Sequence, residues 1–295
     1  AISFSAGAQI FDDFSDGDFT NNPAWKGDTS YFIVNQSGQL QLVAPAVAGK
    51  SFLATSCRLI NNTEWSFFIK MDFNPSSSNY TDIYLVADRE NLKGDVNGYF
   101  VRMGNTQDEV SLYRQSGLLS SARKIIDGLD GRLNVNSVSI HVKVTRSNQG
   151  EWELMVKSPL ESEFISEGSA IDNTYFYSNY FGWVCTYTST RSDKFFLDDV
   201  SIIGEPYIDI IPPGVDSIIV YSSNQIRIYF NEPILELFAT DPNGYFVNNG
   251  IGFPSLVTMP DSRSVELTFE NSLTDQANYQ ISIHGPRDIF DNPIV

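Results

Sequence analysis

Apolar and polar residues alternate along much of the chain. The clearest case is residues 64–74, where large apolar side chains occupy every second position: Trp65, Phe67, Ile69, Met71 and Phe73. A period of two is typical of a β-strand with one face in a core. Residues 138–145 repeat the pattern, and a turn at 148–150 joins them to residues 151–157, which predicts a hairpin.

Other short runs are rich in β-branched and aromatic residues and are separated by turn-forming residues. We predict further strands in residues 31–43 (a hairpin with its turn at 35–38), 51–56, 82–87, 98–104, 110–115, 164–170 and 180–203. About a dozen short strands at this spacing are typical of a sandwich or a barrel, and a large two-sheet sandwich is favoured. Helical periodicity is almost absent.

The first and last strands of this region have a similar character. The sequence FDDF stands at 11–14, and DDVSI stands at 198–202. We therefore expect one domain that is closed by pairing its two ends.

A proline-rich stretch separates this region from a second one. The sequence GEPYIDIIPPG at 204–214 is predicted to be a semi-rigid linker. The shorter β-rich runs beyond it suit an immunoglobulin-like (Ig-like) sandwich. The predicted fold is all-β: a large two-sheet jelly-roll sandwich at 9–204, a linker at 205–214 and a smaller Ig-like β-sandwich at 215–295.

Composition narrows the range of partners. The chain has 36 acidic and 19 basic residues and a net charge of -17, so neither nucleic acid nor an anionic membrane is an expected partner. No apolar run approaches the roughly 20 residues that cross a bilayer. Divalent cations and neutral glycans remain compatible.

The two ends of the sequence bear on localisation. Residues 1–8 are expected to be a leader remnant or disordered, because the small residues of AISFSAGAQ resemble the region around a signal cleavage point. An arbitrary chain boundary is the alternative. The ending Pro293-Ile294-Val295 has no polar tail, so we expect the natural protein to continue. The signal-like start and the β-rich composition favour a secreted or cell-surface protein.

Two cysteines, Cys57 and Cys185, fall in strand-like runs. A disulfide between them would fit an oxidising compartment. The alternative is a pair of free thiols buried in the core. Neither cysteine has the neighbours of a catalytic thiol or the spacing of a zinc site.

Catalytic patterns are missing. The two histidines, His141 and His284, lie in different predicted domains, so no Ser-His-Asp arrangement is indicated. The paired acids of a sandwich glycosidase are represented only by Glu151 and Glu153, next to a turn, and by the adjacent Asp198 and Asp199. We predict a protein without enzymatic activity, and a diverged glycoside hydrolase is the least favoured alternative.

Acidic residues near the two ends of the first domain suggest a metal. If the first and last strands are neighbours, Asp13, Asp18 and Asp199 would converge, and carboxylates of this kind are ligands for Ca²⁺. Asp12, Asp16 and Asp198 lie close in sequence. The prediction is a structural calcium site, and the alternative is an acidic edge that discourages strand aggregation.

A face of aromatic and polar residues suggests ligand binding. If the strands at 82–87, 98–104 and 110–115 are adjacent, alternation places Tyr84, Phe100, Arg102 and Tyr113 on one exposed face. Flat rings with a few polar groups suit sugar recognition. The alternative is ordinary cross-strand pairing on a solvated or domain-packed sheet.

Several short sequence segments resemble those of a known family. FDDFSDGDF, GQLQL, NGYFVRMG and KFFLDDVSI resemble the concanavalin A-like lectin/glucanase jelly rolls, the laminin-G-like group, across residues 11–204. The last phrase is also similar to carbohydrate-binding modules, where it lies near a structural calcium. The resemblance implies a jelly roll and glycan binding, but the catalytic acids of the glucanases are absent.

The second region resembles bacterial Ig-like domains of the surface-layer type. IRIYFNEPI and NYQISIHGPRDIFDNPI carry this resemblance, with Asp291 where glycine is usual. This domain order is similar to that of secreted Bacteroidetes proteins, which often carry a lamin-tail domain afterwards. The leading hypothesis is glycan binding by the first domain with the second as a spacer. The rival is a structural or adhesive surface protein that binds another protein.

Overall fold

The computed structural model describes residues 8–295 and is all-β in this range, apart from a few short helical turns. The chain divides into two compact units between Tyr207 and Ile208. Of the predicted leader at 1–8, only Ala8 lies within the described residues, and the first strand begins there.

The first unit contains fifteen strands in the described residues. They are β1 (Ala8–Asp12), β2 (Lys26–Gly27), β3 (Phe32–Val34), β4 (Leu40–Leu42), β5 (Gly49–Ser56), β6 (Leu59–Met71), β7 (Tyr80–Ala87), β8 (Val96–Gly104), β9 (Glu109–Gly117), β10 (Arg123–Ile126), β11 (Val138–Arg146), β12 (Glu151–Lys157), β13 (Ile165–Ile171), β14 (Tyr180–Tyr187) and β15 (Phe195–Pro206). Short 3-10 helices occupy Thr29–Tyr31 and Leu119–Ser121.

These strands form two antiparallel sheets. Sheet A has the order β13-β12-β11-β6-β15-β4-β3, and β1 also pairs with β15; sheet B has the order β10-β9-β8-β7-β14-β5-β2. One core lies between them and includes Trp65 and Phe67 from sheet A and Ile83 and Trp183 from sheet B. The predicted two-sheet sandwich is confirmed, because alternation drives every second side chain of β6 into this core.

The two ends of the first unit pair, as predicted. Strand β1 runs antiparallel to β15, with Phe11 opposite Ser201 and Asp12 opposite Val200. Just beyond its pairing with β1, β15 still pairs with β6 at Glu205 and Pro206. The predicted linker at 205–214 therefore begins two residues inside a strand.

The second unit is smaller. Its strands are β16 (Val215–Ser222), β17 (Gln225–Phe230), β18 (Tyr245–Val247), β19 (Leu256–Asp261), β20 (Ser264–Thr268) and β21 (Ile281–Ile283), with α1 at Glu236–Ala239 and a 3-10 helix at Pro242–Gly244. The sheet orders are β16-β17-β20-β19 and β18-β21. Ile228, Leu267 and Tyr245 lie in its core. Its assignment as an Ig-like domain stays a prediction.

The disulfide between Cys57 and Cys185 is not formed, and both cysteines are free and buried. The strand register explains why. Cys185 lies opposite Ser51. The backbone N–H of Cys57 donates to the carbonyl of Asn179, and Asn179 lies six residues before Cys185 in the chain. Six residues of extended chain span about 20 Å, well beyond the reach of a disulfide. Burial raises the pKa of the Cys57 thiol to about 12.

Asp12 gives the first testable prediction. It is buried and accepts hydrogen bonds from Trp25 Nε1 and the Phe14 backbone N–H. Burial nevertheless raises its pKa from 3.8 to about 6. The folded state therefore binds a proton more tightly than the unfolded state does, and stability should fall as pH rises from about 4 to about 6.

The measurement is the melting temperature of the wild type and of Asp12→Asn between pH 4 and pH 7.5. The variant loses one hydrogen bond at every pH but cannot ionise. The wild-type melting temperature minus that of the variant should therefore decrease as pH rises through this window. A difference that is constant across the window would contradict the prediction.

Candidate functional site

The four residues predicted to bind a ligand do share one face of one sheet. They lie on the outer face of sheet B, the side away from the core shared with sheet A. Tyr84 is opposite Phe100, and Phe100 is opposite Tyr113. The rings of Phe100 and Tyr113 stack with centroids 5.2 Å apart, and the Tyr84 ring is 5.0 Å from that of Phe100. Arg102 follows on the same face of β8, because alternation returns to that face after two residues.

This face is covered at its centre, so part of the prediction is wrong. Tyr84 and Phe100 are 1% and 0% exposed. The connections at 88–95 and 118–122 fold over them and contribute Leu92, Leu119 and Ala122 to the same apolar cluster. Gly182 allows the approach, since a Cβ at that position would lie 2.4 Å from Leu92 Cδ1. Tyr84 and Phe100 therefore lie beneath the solvent-exposed surface of sheet B and are not part of it.

Beside the covered centre is a less covered region, which we call the Arg102 patch: Tyr80, Asp82, Arg102, Tyr113 and Thr186. Tyr113 was also predicted to be exposed, but it is only 8% exposed, and Asp82 is 2% exposed. Arg102 Nε and Nη2 donate to the two carboxylate oxygens of Asp82 at 2.7 and 2.8 Å. The guanidinium also lies 4.4 Å from the Tyr80 ring centroid and 5.4 Å from that of Tyr113. A bidentate pair stacked on rings fixes the guanidinium plane.

Several polar groups of the patch are not used by the protein. Arg102 Nη1 and the Tyr80 and Tyr113 hydroxyls have no hydrogen-bond partner among residues 8–295, and Arg102 is 14% exposed. The Thr186 hydroxyl, on the strand beside Tyr80, is also unpaired in the described part of the chain, but this atom is buried. The patch thus leaves one guanidinium nitrogen and two phenol hydroxyls without a partner in the described chain.

Sequence reasoning missed Tyr80 and Thr186. Tyr80 lies two residues before Asp82, so the same alternation would have found it. Thr186 lies on β14, and its position beside β7 depends on a strand order that the sequence does not give.

An ion-pair network borders the patch. Lys124 lies opposite Tyr113, and its Nζ contacts Glu109 Oε1 at 2.6 Å and also the Asp127 carboxylate. Burial raises the pKa of Glu109, although the Lys124 ammonium opposes the shift. Lys124 therefore balances part of the negative charge gathered here.

The predicted calcium ligands do not converge. Asp13 accepts hydrogen bonds from the hydroxyl and backbone N–H of Ser15. Asp18 accepts from Thr20 and Asn21, and these bonds lower its pKa to about 2. Asp13 follows Asp12 and Asp199 precedes its partner Val200, so the two lie on neighbouring antiparallel strands. The oxygens of Asp13, Asp18 and Asp199 nevertheless do not gather within 4.8 Å. Asp13 and Asp18 instead accept hydrogen bonds within their own turns.

Two other clusters, each of three acidic residues, do bring their carboxylate oxygens within 4.8 Å of one another. In the described residues these clusters are Glu109, Asp127 and Asp130 in the first unit, and Asp209, Glu232 and Asp288 in the second. Three carboxylates at this spacing are compatible with a structural Ca²⁺.

A cavity of about 730 Å³ lies at one end of sheet A. It contains Glu64, Glu151 and Glu153, and Lys143 forms an ion pair with Glu64 at 3.2 Å. The one aromatic residue that lines it is Trp152, which is 1% exposed. Glu151 and Glu153, the acid pair considered from sequence, thus line a polar groove with no exposed ring. The Arg102 patch has the ring surface that this groove lacks.

Comparison with known proteins bears on the fold. No protein-family model and no curated protein matches the chain. Among solved structures, the Emp47p carbohydrate recognition domain matches with a TM-score of 0.51 and 10% identity, covering 70% of this chain and 100% of that one. The carbohydrate binding module CBM66 from Bacillus subtilis has a TM-score of 0.45 and 15% identity, covering 61% and 95%.

A third match is the VIP36 exoplasmic/lumenal domain in its Ca²⁺/Man3GlcNAc-bound form, with a TM-score of 0.48 and 10% identity, covering 68% of this chain and 90% of that one. At such identities a likeness shows the fold alone. The first unit has a concanavalin A-like jelly-roll sandwich fold, as the Emp47p domain has. Among residues 8–295, none of the helices could span a membrane.

Proposed function

We propose that the first unit binds neutral glycans through the Arg102 patch, without catalysis, in a secreted or cell-surface protein in which the second unit is a spacer. The observation that carries the proposal is the Arg102–Asp82 pair, stacked on Tyr80 with Arg102 Nη1 left free. The lectin fold of the Emp47p carbohydrate recognition domain supports it.

The chemistry of the patch suits a sugar. Sugar hydroxyls both donate and accept hydrogen bonds, and the patch offers a free guanidinium nitrogen together with phenol hydroxyls. The Tyr80 ring, which is partly exposed, adds apolar surface for the C–H face of a sugar ring. Because Asp82 neutralises Arg102, the pair has no net charge to attract an acidic ligand. The chain's net charge of -17 also disfavours acidic glycans.

The test is a glycan array probed with the full chain, in Ca²⁺ and then in EDTA, since two acidic groups are compatible with structural Ca²⁺. We expect saturable binding to neutral glycans. Tyr80→Ala and Arg102→Lys should each weaken it about tenfold or more, because lysine keeps the charge but loses the planar, bidentate donor. Phe11→Ala is the matched control, since Phe11 is 53% exposed on sheet A.

Both patch variants should keep the wild-type tryptophan fluorescence, since Trp25, Trp65, Trp152 and Trp183 all lie buried in the first unit. Equal binding by Tyr80→Ala and the wild type would place the glycan elsewhere. No binding to any glycan by a folded sample would favour the rival role, a structural or adhesive protein that binds another protein.

A further inference from the structure

The edge strand β16 of the second unit is exposed along its whole length. It pairs with β17 on one side, and Ile218 and Val220 lie opposite Ile228 and Ile226. These two β17 residues are 0% and 5% exposed, whereas Ile218 and Val220 are 43% and 61% exposed. The apolar face of the sheet therefore continues past its buried part to an uncovered edge.

The middle of this edge lacks the usual protection. Exposed edge strands are normally blunted by charged residues, proline, β-bulges or covering segments, because their free N–H and C=O groups invite another strand. Asp216 and two register irregularities lie toward the ends of β16 and leave its middle unprotected. Residues 217–222, SIIVYS, contain neither lysine nor proline, nor any charge. The register with β17 is regular from Ser217 to Val220, and its irregularities fall on either side of that stretch. In the described chain, no other strand pairs with the free side of β16.

A cavity of about 400 Å³ lies next to the edge. Its lining includes Val220, Leu273, Ala277 and Tyr279, and its one charged lining residue is Asp275. The other lining residues are polar: Ser222, Ser223, Thr274 and Gln276. A strand added beside β16 would place every second side chain on the face of the sheet that carries Val220.

We propose that β16 is a docking edge that receives an extended, basic segment of another protein by strand addition. Charge decides the kind of partner. The lysine and arginine residues in 208–295 are limited to Arg227, Arg263 and Arg287, against eleven acidic residues. Arg227 pairs with Asp261 and Arg287 with Asp291. Arg263 and nine acidic residues are left over, so the remaining charge is strongly negative. A second copy is therefore repelled, and a strand with lysine or arginine at alternate positions is attracted.

The test uses the full chain and three end-blocked, fluorescently labelled peptides of about nine residues, long enough to cover the strand. One alternates valine with lysine, the second alternates valine with glutamate, and the third replaces alternate residues of the first with proline. We expect saturable anisotropy changes with the lysine peptide. The glutamate peptide should bind about tenfold more weakly at low salt, and the proline peptide should not bind, because proline has no N–H for the ladder.

Val220→Asn should weaken binding of the lysine peptide about tenfold or more, because it puts a polar amide on the apolar edge without adding a charge that would attract lysine. Leu160→Asn is the matched control, since Leu160 is 97% exposed in the first unit. Equal binding of the lysine and proline peptides would overturn strand addition. A concentration-dependent dimer in sedimentation that Val220→Asn abolishes, without binding of the lysine peptide, would assign the edge to a second copy instead.

Discussion

Replacing Asp82 with alanine is expected to lower the free energy of unfolding of the first unit by about 3 kcal/mol. The Asp82 side chain is 3% exposed and that of Arg102 is 14% exposed, so the variant leaves a guanidinium mostly out of water without its counter-charge. Removing one partner of a buried pair costs more than the pair itself contributes, because the remaining charge keeps its desolvation penalty.

The measurement is urea unfolding followed by tryptophan fluorescence, which reports on the first unit alone because all four tryptophans lie there. Asp193→Ala is the matched control: its pair with Lys194 spans 3.5 Å, and the two side chains are 54% and 41% exposed. That variant should lose less than about 1 kcal/mol. The double variant Asp82→Leu with Arg102→Met should recover much of the loss. Equal losses for Asp82→Ala and Asp193→Ala would contradict the buried-pair argument.

Alternation in the sequence predicted the sheet faces well. Side chains in a strand change sides at every residue, so the apolar positions of β6 could be assigned to the core without knowing the partner strands. The same rule placed Phe100 and Arg102 on one face. The pairing of β1 with β15 was also predictable, because FDDF and DDVSI have the character of two matching ends of one domain.

Alternation could not show what covers a face. Tyr84 and Phe100 were predicted to be exposed because they share a side with Arg102, but Leu92 and Leu119 come from connections whose paths the pattern does not encode. One signal was present: β7 reads almost continuously apolar from Ile83 to Ala87, which is typical of a strand buried on both faces. The Cys57–Cys185 distance likewise depends on register, which neither cysteine's neighbours determine.

Phe100→Ala is expected to lower the free energy of unfolding of the first unit by about 3–5 kcal/mol, because it removes a ring that is 0% exposed. That ring touches both Tyr84 and Tyr113 and lies 5.3 Å from the Arg102 guanidinium. The cavity left behind cannot easily close, since the backbone of the sheet holds its neighbours apart.

The control for this prediction is Tyr84→Phe, which keeps the ring and removes only the hydroxyl that donates to Gln115 at 2.6 Å. It should cost about 1 kcal/mol in the same urea experiment. Phe100→Leu tests whether the Phe100 ring holds the Arg102 guanidinium in place. This variant should stay folded and lose less stability than Phe100→Ala, because leucine fills most of the space. It should still weaken glycan binding, because leucine offers no ring beneath the guanidinium. Full glycan affinity in Phe100→Leu would show that the Tyr80 ring and the Asp82 carboxylate hold Arg102 in place without help from the covered cluster.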